Sequence, residues 1–593
     1  MGSQISKPTV YAQIPLQGRE IRLISLCPSA DLQRQLECYC SVYKLDESPE
    51  FEALSYVWGA PDPSTDVVIL INGESVSIGA ALPNALLRLR RINEPRVLWA
   101  DALCIDQSNT KEKSQQVPMM GGIYSRARRT VIWLGNGDAS QIKQVMRAVR
   151  LIAQACEEYA GSRTIGTTPT TRYKSVHIPV ELFGSEVTQG LRTLYDLPWF
   201  WRVWCIQEIC LAQDGIVLWG AEEVSWSRLK TAAHWIFDKS VMQDPNDPVV
   251  PLVQDIESSH ADRLVDARTR RSPLLEVLRD FRERQSTDPR DKVYGLLSLA
   301  APREAAAVEV DYDKSVGQVY ATTVLATIRL HSRLTALAFV SHQQIYEPFE
   351  DNPSWAPRWD DWRLAMNMGY PEAGCPFAAS AGQLMRREDI ENAGSPRLAL
   401  AGILFASVCL VQDVIYPNEN NQLGMMHPFL NAARTVLSME NSQEQLQKLA
   451  RTLHAGEADD GRYVQELDAA AQDAFYGSFK HLIAKMNNAT KEELEALSGY
   501  EPTSINFRAG AFVTSLFRRV FLTSRGGFGL GPQCMAPGDV VVVLYGGNTP
   551  YVLRPCGDDF LFMGQAYMDE IMNGELVRDV EAGKRQAELF HLI

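Results

Sequence analysis

Between residues 51 and 220, short apolar runs alternate with stretches of helical character, and few architectures accept that pattern. The runs 51–59, 96–101, 130–135 and 216–219 are mainly apolar and end in turn residues, as strands buried on both faces do. Helices are expected from Pro83 to about Asn93, from Pro118 through Arg129, over 139–160, and after Pro198. The alternation predicts an α/β fold, a doubly wound and largely parallel sheet with helices on both faces. Ahead of it, 21–26 and 36–43 are parted by Pro28-Ser29-Ala30-Asp31 and read as a β-hairpin. A second hairpin spans 67–78 about the two-residue turn Asn72-Gly73.

The remainder changes character. Residues 161–180 are rich in Thr, Gly and Pro and read as an exposed loop, and 225–300 are mostly helical. Asp288-Pro289-Arg290-Asp291-Lys292 is expected to form an ion-pair knot at a helix start, and 353–359 a rigid aromatic connector. Helices return over 442–498. The end is β-rich, with strands at 520–523, 539–545, 551–554 and 560–563 arranged as an antiparallel meander. Gly526-Gly527-Phe528-Gly529-Leu530-Gly531-Pro532 lacks the Lys-Ser/Thr of a phosphate loop and reads as a hairpin turn. The domain reading is 1–50 as a hairpin extension, 51–222 as the core, 223–390 as a helical region and 391–593 as a mixed C-terminal region.

Charge and cysteine usage narrow the function classes. Lys and Arg number 58 against 72 Asp and Glu, a net charge of −14, so the surface lacks the basic footprint of a nucleic-acid binder. The eleven cysteines show no CxxC or other zinc spacing, and no metal is expected. Cys104, Cys205 and Cys409 sit in apolar runs and read as buried thiols in a reducing, cytoplasmic setting. The longest apolar run, 398–411, is 14 residues long and too short for a membrane-spanning helix. Met1 to Ser6 fit the M-G-x-x-x-[ST] pattern for myristoylation of Gly2, against coincidence, and one acyl chain would give only weak membrane contact.

Candidate chemistry concentrates in residues 198–212. Trp199, Trp201, Arg202, Trp204 and Glu208 fall close together, and a helix opening after Pro198 stacks Trp204 and Glu208 at i,i+4. A carboxylate on an otherwise apolar helix is costly unless paired or used. Glu208 is therefore either the buried ion-pair partner of Arg202 or a catalytic group. Asp101 ends the 96–101 strand, with Asp106 and Gln107 just after, where open α/β sheets gather ligands. Capping of the next turn is the alternative for such aspartates. Tyr56 and Trp58 follow the first core strand and either stack on a ligand or pack in the core.

Several of these stretches together resemble the HET (heterokaryon incompatibility) domain of filamentous fungi. They are Ala53-Leu54-Ser55-Tyr56-Val57-Trp58-Gly59, Trp99-Ala100-Asp101-Ala102-Leu103-Cys104-Ile105-Asp106-Gln107, Gln116-Val117 with Met120 and Ile123-Tyr124, Trp133-Leu134-Gly135, and Arg202-x-Trp204-x-x-Gln207-Glu208. Order and spacing fit over roughly residues 50–215, and the 288–297, 353–355 and 526–554 stretches extend the resemblance to most of the chain. Pro118 and Gly121-Gly122 depart from it by interrupting a helix.

The resemblance implies a role in fungal nonself recognition leading to cell death, and a TIR-like core. Residues 202–208 look like the TIR pattern Ser-x-Trp-Cys-x-x-Glu-Leu, whose glutamate cleaves NAD+. It implies Glu208 as the catalytic residue, Trp204 and Cys205 as its scaffold, NAD+ as substrate with no further cofactor, and self-association. Arg202 stands where TIR has a small residue, and a ribose or phosphate role is inferred for it. Cleaving the nicotinamide–ribose bond passes through an oxocarbenium-like state that a carboxylate stabilises, and neutral nicotinamide leaves without a general acid. Two non-enzymatic alternatives stand beside this. One is a death-signalling interaction module, with or without an incompatibility partner protein; the other is a scaffold whose residues 225–593 restrain the core. An enzyme needs Glu208 facing an open cleft beside Tyr56 and Asp101, and a module needs it sealed.

Overall fold

The central strand of the N-terminal sheet, Glu52–Tyr56 (β3), is buried along its whole length. In the computed structural model the described residues are 9–31, 33–59, 62–161, 173, 175–242, 247–253, 256, 271–348, 351–361, 367–368, 375–386, 388–389, 396–416, 427–437, 442–458, 462–487 and 490–593. Gly2 and most of the 161–180 stretch lie outside them. The chain divides into two units, 1–313 and 314–593.

In the first unit, β3 lies in a sheet with Glu20–Leu26 (β1), Glu37–Lys44 (β2), Val67–Ile71 (β4), Glu74–Ile78 (β5), Arg96–Trp99 (β6), Arg129–Trp133 (β7), Gly215–Trp219 (β8) and Glu222–Ser225 (β9). The order is β5-β4-β2-β1-β6-β3-β7-β8-β9. β6, β3, β7 and β8 run parallel, as the alternation predicts. The flanks are mixed: β1 pairs antiparallel with β2 and β6, β4 with β5, and β8 with β9, while β2 and β4 are parallel. Asn72 and Gly73 both have positive φ, 52° and 82°, the geometry a two-residue hairpin turn demands.

Two helix expectations change on inspection. The segment after Pro198 is a single 3-10 turn, Pro198–Trp201, followed by extended Arg202, and the α-helix spans Trp204–Cys210. The interruption has a distant cause. Gln285 N–H donates to the Trp201 carbonyl at 2.6 Å, and Val203 N–H donates to the Gln285 carbonyl at 2.9 Å, so these groups leave the helical ladder. The helix expected from Pro118 instead starts earlier, at Thr110–Gln116, passes through a 3-10 turn at Val117–Met119 and resumes as Met120–Arg126. Gly121 is required there by packing, because an added Cβ would sit 2.5 Å from Ser298 Cβ.

The second unit is built on a 14-residue strand, Leu398–Val411 (β10). It joins Arg518–Thr523 (β11), Phe528–Pro532 (β12), Val540–Leu544 (β13), Tyr551–Cys556 (β14), Asp559–Gln565 (β15) and Glu588–Leu592 (β16). The expected meander holds for β13-β14-β15 but goes further. β16 pairs with β15 and, antiparallel, with the start of β10, so β10-β13-β14-β15-β16 forms a closed circuit. Gly526 lies in the β11–β12 turn at φ 82°, while 528–532, expected as turn, is strand. Cys409 is exposed, against expectation, because alternate side chains of β10 face solvent toward its end. Helices Ser442–Leu453, Ala469–Met486 and Glu501–Ser515 contribute Leu449, Leu453, Phe479 and Phe507 to a core shared with β11 and β12.

No helix among the described residues is long and apolar enough to cross a membrane.

Candidate functional site

Ser55 is the one aliphatic hydroxyl in the buried strand β3, and it meets the carboxylate of Glu208 on the Trp204–Cys210 helix. Its hydroxyl donates to Glu208 Oε2 and accepts from Trp199 Nε1 at 2.7 Å. The indole N–H thereby fixes the hydroxyl proton toward the carboxylate. The helix is held against β7 by Thr130 Oγ1, which donates to the Glu208 carbonyl at 2.9 Å. Glu208 is 3% exposed. Burial pushes its carboxyl up to about 7, with Asp101 adding to the rise and Arg202 and the Ser55 hydroxyl opposing it.

Arg202 reaches this cluster from its extended position, and the ion pair with Glu208 that was the alternative to a catalytic role does not form. Its guanidinium donates to the Tyr56 carbonyl, which ties the 3-10 turn to the end of β3. Burial works against its charge, and Cys205, Glu208, Asp101 and Tyr56 outweigh that effect, so the guanidinium stays charged. Asp101 opens the short helix Asp101–Cys104 after β6 and accepts from Ala102 N–H at 2.8 Å and Trp58 Nε1 at 3.0 Å. Burial raises its carboxyl as well, against the pull of Arg202 and these donors. The buried Cys205 thiol is pushed well up by burial and by Glu208, which leaves it neutral and inert.

The structure thus brings together Tyr56, Asp101, Arg202 and Glu208, with Trp58, 40% exposed, at the rim. The remaining candidates lie to the side. Trp204 Nε1 donates to Asp291 Oδ2 at 3.0 Å, away from Glu208. Asp106 caps its own turn through Ser108, and exposed Gln107 donates to the Asp101 backbone carbonyl at 3.0 Å. The expected ion-pair knot is only partly ionic. Asp288 pairs with Arg290 at 2.8 Å, whereas buried Asp291 takes neutral donors, Trp204 and the Tyr312 hydroxyl at 2.6 Å. Ser55 and Trp199 escaped the sequence reading as site residues. A serine among the wholly buried positions of β3 was the available signal for the first.

Chemically, the cluster holds two carboxyl groups with raised affinity for protons around one guanidinium. Such a group is poised for proton transfer or for stabilising positive charge near neutral pH. Among the described residues no His, Cys, Asp and Glu group could hold a metal ion.

Comparison with known proteins places this cluster in context. Residues 51–208 match the family model described as heterokaryon incompatibility protein (HET), so the match begins at β3 and ends on Glu208. Residues 486–592 match the Het-6 beta-barrel domain, which leaves β10 outside the matched segment. The chain is 26% identical to heterokaryon incompatibility protein 6, OR allele, of Neurospora crassa, over 95% of each chain. No solved structure matches.

Proposed function

We propose that the chain, whose residues 51–208 match the heterokaryon incompatibility (HET) family model, is a fungal nonself-recognition effector whose core cleaves the nicotinamide–ribose bond of NAD+ through Glu208. The observation that carries this reading is the gathering of Glu208, Asp101 and Tyr56 around Arg202 at the end of β3. Ionised, Glu208 stabilises the oxocarbenium-like ribose, more strongly in a dry site than in water. Trp58, at the rim, offers an aromatic face for the nicotinamide or adenine ring. Arg202 offers charge for ribose hydroxyls or phosphate once its surroundings open.

The 3% exposure of Glu208 favours a second reading, a non-enzymatic death-signalling module in which this cluster is a sealed structural knot. The two part on one assay. NAD+ loss and nicotinamide release are followed with the purified full chain and with Glu208→Ala. Turnover abolished by the substitution supports the enzyme; absence of turnover at high protein concentration supports the module.

A further inference from the structure

The Glu208 helix is too short to place itself. Trp204–Cys210 has seven residues, and a helix of that length takes its position from its neighbours. On one side these are β3 and β7, through Ser55 and Thr130. On the other they come from one stretch, 284–298, which lies beyond the residues that match the HET model. Arg284 Nη1 donates to the Phe200 carbonyl, and Gln285 exchanges two backbone hydrogen bonds with Trp201 and Val203. Asp291 accepts from Trp204 Nε1 at 3.0 Å, and the Ser298 hydroxyl donates to Gln207 Oε1 at 2.6 Å. Gly295 lies flat against the start of the helix. A Cβ added there would sit 2.9 Å from the Asp291 carbonyl, 3.4 Å from Val203 and 3.5 Å from Trp204.

This stretch is itself held from within. The Lys292 ammonium is buried and donates to the carbonyls of Arg282, at 2.8 Å, and Arg284. Burying an ammonium is costly without such partners, and these fix the corner that reaches residues 200–203. Asp291 is held by the Tyr312 hydroxyl at 2.6 Å, and Lys113 Nζ lies over the Tyr312 ring at 3.8 Å. Two adjacent charged residues are thus buried on one four-residue helix, Asp291–Tyr294. One of them shapes the corner and the other grips Trp204.

We propose that 284–298 is the second support of the Glu208 site, and that Asp291 and Ser298 are positioning residues acting through the helix that carries the carboxylate. This rests on the NAD+ reading above. A shift of about 1 Å at a reacting group costs about 10²-fold in rate. Nicotinamide release by the full chain is measured with Asp291→Ala, Asp291→Asn and Ser298→Ala. Asparagine keeps an oxygen for Trp204 and turns an N–H to the Tyr312 hydroxyl. In Asp291→Ala, kcat is expected to fall roughly 10–100-fold with KM within about 2-fold, and Asp291→Asn to recover to within about 3-fold of wild type. A second readout needs no turnover: the Glu208-dependent change in stability between about pH 4 and about pH 8, taken as wild type minus Glu208→Gln in each background. It is expected to shrink to about half or less in Asp291→Ala, where the displaced carboxyl regains water, and to be kept in Asp291→Asn. Where Asp291→Ala does not fold, Ser298→Ala is read in the same two ways. A wild type without turnover sinks the enzymatic reading alone, and the pH readout then decides the positioning role. An unchanged kcat in Asp291→Ala, an equal loss in Asp291→Asn, or an undiminished pH-dependent difference overturns the proposal.

Discussion

Two regions of this protein bury polar groups, with opposite outcomes. Around Glu208 the polar groups satisfy one another, Trp199 to Ser55 to Glu208 out of water and Trp58 to Asp101 at the rim. Around Asn352 the amide Nδ2 donates to the Pro353 and Ala356 carbonyls, yet the Oδ1 acceptor is left over. Internal satisfaction with burial changes the proton affinity of a group, whereas an acceptor buried without a donor only costs stability.

The sharpest way to break that contrast is to remove the altered acid. If the enzymatic reading holds, Glu208→Gln lowers NAD+ turnover by on the order of 10²–10³, and the wild-type rate climbs as pH rises through about 7, where the carboxyl ionises. A steady-state pH profile checks both.

Stability offers a test that is independent of turnover. The folded-state pKa of Glu208 lies above its unfolded value, so the protonated group favours folding below about pH 4.5 and that contribution is lost as pH rises through about 7. The loss amounts to about 3 kcal/mol at ~1.4 kcal/mol per pKa unit. Glu208→Gln should therefore unfold at higher denaturant than wild type at pH 8 and match it near pH 4.

Ser55→Ala removes a donor from Glu208 and an acceptor from Trp199, and is expected to cost about 1–3 kcal/mol in denaturant unfolding. It should also move the ascending limb of the rate profile to higher pH, since the Ser55 hydroxyl pulls the Glu208 carboxyl down. In the region of Asn352, by contrast, Glu347→Gln should change stability by no more than ~0.5 kcal/mol, because the side chain is exposed. An effect as large as that of Ser55→Ala would show that the two regions do not differ as described.

Local chemistry made much of the first unit legible in the sequence. Apolar runs marked β3, β6, β7 and β8, and Asn72-Gly73 announced its hairpin because few residue pairs accept positive φ. The site was legible only in part. Glu208 and Arg202 stood out by type, but their relation depends on Gln285, which draws the 201–203 backbone out of helix from more than eighty residues away. No local propensity encodes such a partner. Barrel closure was hidden for the same reason, since β16 finds β10 only through the intervening chain.

That closure governs how the molecule comes into being. Leu398 pairs with Leu592, so β10 leaves the ribosome about 190 residues before its last neighbour. Until then Leu398–Gly402, the start of this apolar strand, stays without its final partner. Long-range pairing of this kind folds slowly and exposes an edge to other chains meanwhile. Synthesis of the second unit is thus a period in which that edge lies open to other chains.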